Sequence, residues 1–523
     1  MSPSRLQQML LSLALIAASC AAIPSAGPPG YDVNYGTSQF NATTALKTCL
    51  DYHQVPYYVE TDSNWTEYAT TFNSRLQYEP AAIALPTSAQ HISDSVRCAA
   101  KARVPVQPKS GGHSYASYST GGRDGILMID LENFNAITLD NVTGIAVVGG
   151  GVRLGNLALA IYNNGNLRAL AHGTCPGVGI GGHFTHGGYG YSSRAFGLAM
   201  DQIVGLDVVL ANGTYVHAND TSYPEVYYAL RGAADAFGVV VNFYLQTSPA
   251  PPDVVNWSFS FPQALASAEA GVLAFKGVQN FALNGSVVDG KLGFGVTIGG
   301  NGASFSVHGT YFGPVATFNA TVAPALLAQL PWPPASDSSV QAVDWITSLT
   351  LLGGAPTLEV PLHGVTDRDN FFAKSVTTTE PFSDKAIRNF FQYILDNGVG
   401  SNAPVDWFSI INLYGGPGSA ITRKNETFAA YSGHDDLWVI QNYGNVAVNG
   451  SFPSAGLDFI NGLNDAVTSE VVGFGAYLNY VDPTYNSTQA YNLYYGTELY
   501  ERLSTLKHII DPRNLFSNPQ SIW

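Results

Sequence analysis

HGTCPGVGIGGHFTHGGYGY, from His172 to Tyr191, holds eight glycines and one cysteine and offers almost nothing that packs a core. So much glycine in so short a run signals a backbone that approaches something closely, or that takes dihedrals only glycine reaches cheaply. A second run of the same kind, KSGGHSY from Lys109 to Tyr115, lies upstream. The two are read together, as loops that grip one ligand from both sides.

Within the longer run, Gly177 to Gly182 matches G-x-G-x-x-G, with Asp201 beyond it. The dinucleotide fingerprint needs a strand before that motif and a helix after it. Here the lead-in Ala171–Pro176 is a turn and a further glycine-rich turn follows, so the fingerprint is set aside. Cys175, His183 and His186, with His172 near, are ligand types that zinc favours, yet the run has no HExxH, no second cysteine and no acidic partner. The plainest alternative is a buried loop with incidental histidines. An anion-binding nest, built from successive backbone N–H groups, accounts for more. Ser110, Gly111, Gly112, His113 and Ser114 follow the apolar run Val104–Gln107, where their amides would cradle a pyrophosphate. His113 on one loop and Cys175 on the other would then reach the same cofactor, and a cysteine thiolate is a strong nucleophile.

The rest of the chain sets the context. Its 523 residues suggest more than one domain. Charged residues make up 12% and the net charge is -15, with 23 Lys plus Arg spread thinly, which argues against a nucleic-acid partner. Arg5, the apolar run Met9–Ala18 and the small residues to Ala22 read as a secretory leader, residues 1–22. No later stretch is long and apolar enough to cross a bilayer. Eleven Asn-x-Ser/Thr sequons agree with export and glycosylation. Cys20 leaves with the leader, so Cys49 and Cys98 are expected to pair and Cys175 is the odd thiol, although sequence alone does not fix the pairing.

Short strands and helices alternate, which gives an α+β class. After a Gly/Pro-rich lead segment, Ile23–Gly36, helices are expected at Gln90–Arg103, at Leu154–Asn164 (ended by Asn-Asn-Gly) and at Pro224–Gly232. Ile203–Leu210 and Tyr215–Ala218 are expected to form a hairpin about Asn212-Gly213. Pro249 to Pro252 marks a boundary. Domains are placed at 23–250 (core about 78–249) and 251–482, with 483–523 returning to the first. The second domain carries expected strands at Leu292–Ile298, Ser304–Phe312, Trp407–Tyr414, Leu437–Tyr443 and Gly473–Tyr480. Its expected helices are Ala264–Phe281, Val340–Leu352, Asp384–Asp396 and Gly456–Ser469, covering one sheet face.

KSGGHSY and HGTCPGVGIGGHFTHGGYG resemble the berberine-bridge-type flavoprotein oxidases of the vanillyl-alcohol-oxidase fold, and among them the secreted fungal oligosaccharide oxidases. Weaker pieces agree across nearly the whole mature chain, among them Leu413-Tyr414-Gly415-Gly416, Tyr477-Leu478-Asn479-Tyr480 and the ending from Asp511 to Phe516. The resemblance implies a two-domain fold with a PCMH-type FAD domain and a separate mixed-sheet substrate domain. It implies FAD bound covalently twice, through His113 to the 8α-methyl carbon and through Cys175 to ring carbon six. The glycines Gly179, Gly182, Gly187 and Gly188 would let backbone lie against the ring system.

The family's base maps to Tyr480. A free tyrosine has a pKa of about 10 and must be activated to serve. In the oligosaccharide oxidases a carboxylate just before Leu-Tyr-Gly-Gly assists; here Asn412 stands there, an amide that hydrogen-bonds but takes up no proton. Tyr115 and Tyr189 match tyrosines beside the flavin and Gln441 a substrate-binding glutamine. Ile410 falls where a polar sugar-binding residue is expected, and Arg231–Gly238 departs from the family's Gly-Asn-Phe-Gly form. The expectation is a monomeric, secreted FAD oxidase of carbohydrates or alcohols, with oxygen reduced to hydrogen peroxide and no metal. A secondary-metabolite oxidase acting on an alkaloid, polyketide or alcohol is the second reading. A glycosylated binding or allergen-like protein without turnover is the third.

Overall fold

A disulfide ties the first two long helices together. Cys49 on the helix Tyr35–Tyr52 and Cys98 on the helix Ala89–Ala102 are bonded, which leaves Cys175 outside any disulfide. The second helix starts where Ser88 Oγ accepts the His91 N–H and stops at Arg103 in the left-handed region, φ 59°. Its buried stripe of Ile92, Val96, Cys98 and Ala99 follows the helical repeat. This computed structural model describes residues 35–163, 167–300, 304–364 and 368–523. The leader with Cys20, nearly all of the segment Ile23–Gly36, and the Asn164-Gly165 helix stop lie outside them.

Among the described residues, three sheets of four or more strands and one short two-stranded ribbon organise the α+β chain. The first, in spatial order, is Tyr57–Tyr58, Ala82–Ala84, Leu127–Asp130 and Val106–Lys109, with the last three parallel. The second is antiparallel: Ile137–Leu139, Ile145–Gly149, Val239–Gln246, Ile203–Val209 and Tyr215–Ala218. The expected hairpin is present, with Gly213 at φ 77° in its turn. The third sheet has seven strands: Ser339–Val343, Val254–Ser260, Ser304–Tyr311, Leu292–Gly299, Asp406–Leu413, Trp438–Val446 and Asn370–Thr378. All of its pairings are antiparallel, so the expected mixed sheet is corrected.

Side chains alternate across a strand, and in this sheet the two faces differ in kind. One face carries Trp257, Phe259, Phe294, Val296, Ile298, Trp407, Ile411, Trp438 and Ile440, buried under the helices Ala268–Ala282, Asp384–Asn397 and Ser454–Thr468. The other carries the uncharged hydrogen-bonding groups Ser258, Ser306, His308, Thr297, Asn412, Gln441 and Ser375, interspersed with Ile410, Val439, Ala373, Phe371 and Phe408. That second face meets the glycine-rich loops: Gly293 leaves no room for a Cβ beside the Tyr191 backbone.

Two expected elements differ. Val340–Leu352 is a strand, Ser339–Val343, followed by the helix Trp345–Gly353, because Asp344 caps that helix by accepting the Thr347 N–H at 2.9 Å. Gly473–Tyr480 is not a strand; it makes one bridge, Thr377 to Gly475, then a 3-10 turn at Leu478–Tyr480. The Tyr477 N–H goes to Ser375 Oγ at 2.9 Å instead of a ladder carbonyl. Asn370–Thr378, with a lysine and no alternation of polarity, is a fully buried edge strand that the sequence pattern did not announce.

Candidate active site

The two glycine-rich runs meet backbone to backbone. A Cβ on Gly111 would collide with Gly179, and one on Gly179 with Gly111. The Gly181 N–H donates to Ser110 Oγ at 3.1 Å, closing the seam. The first loop leaves the strand Val106–Lys109, whose end is fixed by a buried ion pair, Lys109 Nζ to Asp130 Oδ2 at 2.9 Å. Gly112, at φ 74°, turns the chain, and Ser114 Oγ accepts the Tyr118 N–H at 3.0 Å. On the second loop, the space beside Gly182 is open. Gly187 and Gly188, at φ 102° and 86°, do not face open space; their α-carbons pack against Tyr477 and Tyr431, and against Ala199 and His183.

His113 lies half-buried on the first loop, its ring stacked on Phe72 with centroids 4.3 Å apart. Its Nε2 has no hydrogen-bond partner. Burial first, then the charge of Arg153, pushes its pKa down to about 3, so the imidazole is neutral and keeps a lone pair. Cys175 is exposed on the second loop. It is among the neighbours that raise the phenols of Tyr115, Tyr443 and Tyr480. The described residues gather one metal-type trio, Cys49, His53 and Cys98, and two of these are spent in the disulfide.

Across from Cys175, the expected substrate-side residues converge. Tyr480 stacks on Tyr115 with centroids 5.6 Å apart and planes 19° apart. Gln441 Nε2 donates to the Tyr115 hydroxyl at 2.8 Å. Burial, then the neighbouring phenols, holds the Tyr480 hydroxyl well above the ordinary range. Asn412 sits on the same sheet face, buried, with Oδ1 unpartnered. Tyr189 packs beside this group. Its ring stacks on Tyr414 at 3.8 Å and its hydroxyl donates to the Leu413 carbonyl at 3.3 Å.

Sequence reasoning missed several neighbours. Phe72 backs His113, and Phe371 and Tyr443 continue the aromatic layer, stacked at 4.6 Å. The Tyr443 hydroxyl donates to Asp369 Oδ2 at 2.7 Å. Arg153 donates to the Gly177 carbonyl and keeps an unpartnered buried Nε. None belongs to a motif; only the return of chain from distant strands brings them here.

A neutral, orphaned imidazole on one loop, a thiol on the other and open space beside Gly182 between them suit a ring system that both loops touch. A match to the FAD binding domain covers residues 80–219, and a match to the berberine and berberine-like family covers residues 476–523. Xylooligosaccharide oxidase of Thermothelomyces thermophilus is 36% identical over 495 residues, 94% of this chain and 96% of that protein. The chain belongs to the berberine-bridge-type family of FAD-linked oxidases. The oxidase is also 35% identical to the carbohydrate oxidase of Microdochium nivale over 98% of both chains. Its fold superposes on the xylooligosaccharide oxidase of Myceliophthora thermophila, solved with xylobiose, at a TM-score of 0.85, 35% identity and coverage of 91% and 99%. It also superposes on a glucooligosaccharide oxidase of Acremonium strictum, described as carrying 6-S-cysteinyl, 8α-N1-histidyl FAD, at a TM-score of 0.85, 30% identity and coverage of 91% and 99%. The fold is thus the vanillyl-alcohol-oxidase type that the two glycine-rich runs implied. The oxidase is an FAD-linked oxidoreductase acting on CH–OH groups, and among its described residues no helix is long and apolar enough to cross a membrane.

Proposed function

We propose that this oxidase oxidises the anomeric carbon of a neutral oligosaccharide, with Tyr480 as base and FAD tied to His113 and Cys175. The observation that carries the reading is the convergence of Tyr480, Tyr115 and Gln441 at one point across from Cys175. FAD held there would supply the hydride acceptor, with oxygen as the final electron acceptor and hydrogen peroxide as the product. The lone pair of His113 and the sulfur of Cys175 hold the ring system from two loops. Backbone amides of Ser110–Ser114 would hold the pyrophosphate, and the open space beside Gly182 would allow close approach. Gln441 and Tyr115 orient the sugar hydroxyl, Tyr480 takes its proton, and Asn412 holds a hydrogen bond without moving charge. The lactone formed from an aldose end opens in water to the acid.

The amides and hydroxyls of the sheet face that meets the loops, Asn412, Gln441, Ser375, Thr297 and Ser306, support a sugar over a hydrophobic metabolite. Ile410, between Thr297 and Gln441 on that face, favours the second reading, a less hydroxylated alcohol. Oxygen uptake across cello-, xylo-, malto- and chito-oligosaccharides and a few secondary alcohols tests this. Turnover of a sugar supports the first reading, and silence from every sugar overturns it. Export as a monomeric glycoprotein belongs to the same proposal, supported by the disulfide Cys49–Cys98 and the leader-like start. So does the division at Pro249–Pro252, where the chain passes from the second sheet to the third.

A further inference from the structure

A lysine interrupts the buried strand Asn370–Thr378. Lysine is almost never buried unless it is paired, and Lys374, 7% exposed, is paired. From the face opposite Ser375, its Nζ reaches Asp482 Oδ2 at 2.6 Å, and Asp482 is 1% exposed. The chain Gly475–Asp482 runs beside this strand and is bonded to it at Thr377, Ser375 and Lys374 in turn. Thr377 and Gly475 exchange backbone hydrogen bonds at 2.9 and 3.1 Å, the Tyr477 N–H donates to Ser375 Oγ, and Lys374 donates to Asp482. Tyr480 lies between the last two anchors, in a turn closed by its own N–H on the Tyr477 carbonyl at 2.9 Å.

Every polar atom of Asp482 is bonded. Oδ1 accepts the Thr484 N–H and hydroxyl at 2.8 and 2.7 Å. The backbone N–H donates to the Tyr494 hydroxyl at 2.9 Å, and the carbonyl accepts from Gln520 Nε2 at 2.7 Å. Tyr494 ends the helix Ser487–Tyr494 and packs in the same core as Ile180, Phe184 and Tyr191 of the second glycine-rich loop. Asp482 therefore ties the turn to the third sheet on one side and to the core that holds that loop on the other.

We propose that Lys374 and Asp482 are positioning residues for Tyr480, fixing where its hydroxyl stands between substrate and cofactor. The inference rests on Tyr480 being the base. The ring of Tyr480 stacks on Tyr115 and stands edge-on to Tyr477, centroids 5.6 and 4.9 Å apart. Ring contacts of this kind allow sliding, so the backbone turn sets the register of the hydroxyl. Ser375 holds the turn before Tyr480, and Asp482 holds it after. A buried ion pair suits that task because its partners tolerate no drift: parting them strands a charge away from water. Misplacing a reacting group by about 1 Å costs on the order of 100-fold in rate.

The test uses the flavin-loaded enzyme and whichever sugar or alcohol of the panel is turned over fastest. Lys374→Met by itself would leave Asp482 buried and unpaired, so the first variant is Lys374→Met/Asp482→Asn, which removes both charges and keeps an oxygen for Thr484. The second is Tyr494→Phe, which removes only the acceptor of the Asp482 N–H. Stopped-flow bleaching of the flavin by substrate gives two readouts: its amplitude counts folded, loaded sites, and its rate constant follows the chemical step. The rate constant is expected to fall about 10- to 100-fold in the double variant and less steeply in Tyr494→Phe, with acid-stable flavin per chain unchanged. A merely structural pair lowers amplitude or flavin content and leaves the rate constant where it was; that result overturns the proposal. In the Tyr480→Phe background the same double substitution should change the residual rate by no more than about twofold, and a full further fall there also overturns it. Tyr480→Phe with an undiminished rate constant removes the base assignment itself. Loss of the rate in Tyr480→Phe with none in the other two variants leaves the base standing and removes only the positioning role.

Discussion

Gly111 and Gly179 lie so close that a Cβ on either would enter the backbone of the other. The contact joins the two loops that hold the cofactor, and it leaves no flexible side chain to give way. Gly179→Ala is therefore expected to part the seam. Overpacking of this kind costs about 1–3 kcal/mol, and the purified variant should carry less flavin per chain than the parent. Flavin absorbance at full occupancy would show that the seam tolerates the methyl group.

Holding from two loops gives a graded outcome when the attachments are removed. His113→Ala and Cys175→Ala, singly, should each keep flavin in the pellet after acid denaturation, because one bond remains. The double variant should release all colour to the supernatant. Release from both single variants would mean that the two bonds do not form independently.

Gln441 ends in an amide whose N–H is on the Tyr115 hydroxyl at 2.8 Å. Gln441→Leu deletes that donor and leaves the flavin contacts alone. The expected fall in kcat/KM is about 10- to 100-fold, roughly the 1.5–3 kcal/mol of one or two buried hydrogen bonds, with unchanged flavin content. A variant with unaltered kcat/KM would remove Gln441 from the substrate site.

Asp436 carries a pH signature. Burial pushes its carboxyl up to about 8 from an ordinary 3.8, against the Thr377 hydroxyl, which lowers it. Between those values the native state retains a proton that the unfolded chain has released. Stability therefore falls as pH rises through that window, by up to roughly 1.4 kcal/mol per pH unit. Asp436→Asn keeps the shape and removes the titration. Its Tm should exceed that of the parent at pH 8 and approach it at pH 4. Parallel Tm curves would assign the pH dependence elsewhere.

The two glycine-rich runs were legible because their composition reports a local requirement: positive φ at Gly112, Gly187 and Gly188, and bare contact at Gly111 and Gly179. The leading residues His113, Cys175, Tyr480 and Gln441 sat in motifs; Tyr480 and Gln441 both lie against Tyr115. Phe72, Arg153 and Phe371 escaped notice because their surroundings are made by strands hundreds of residues apart. The strand Asn370–Thr378 was missed for a related reason. It is buried on both faces, so it lacks the alternation that marks a half-buried strand.

The face of the third sheet that meets the loops has no lysine or arginine along its strands among the described residues, and its carboxylates, Asp406 and the adjoining Asp369, lie at the end where Asn445 sits. His308 within it is neutral, held down to about 4 by burial. A surface like this exerts no long-range pull. Ligands reach it by unassisted diffusion, and added salt should change the association rate little. Selection happens only after contact, when each hydroxyl either finds an amide or oxygen in register or leaves one stranded.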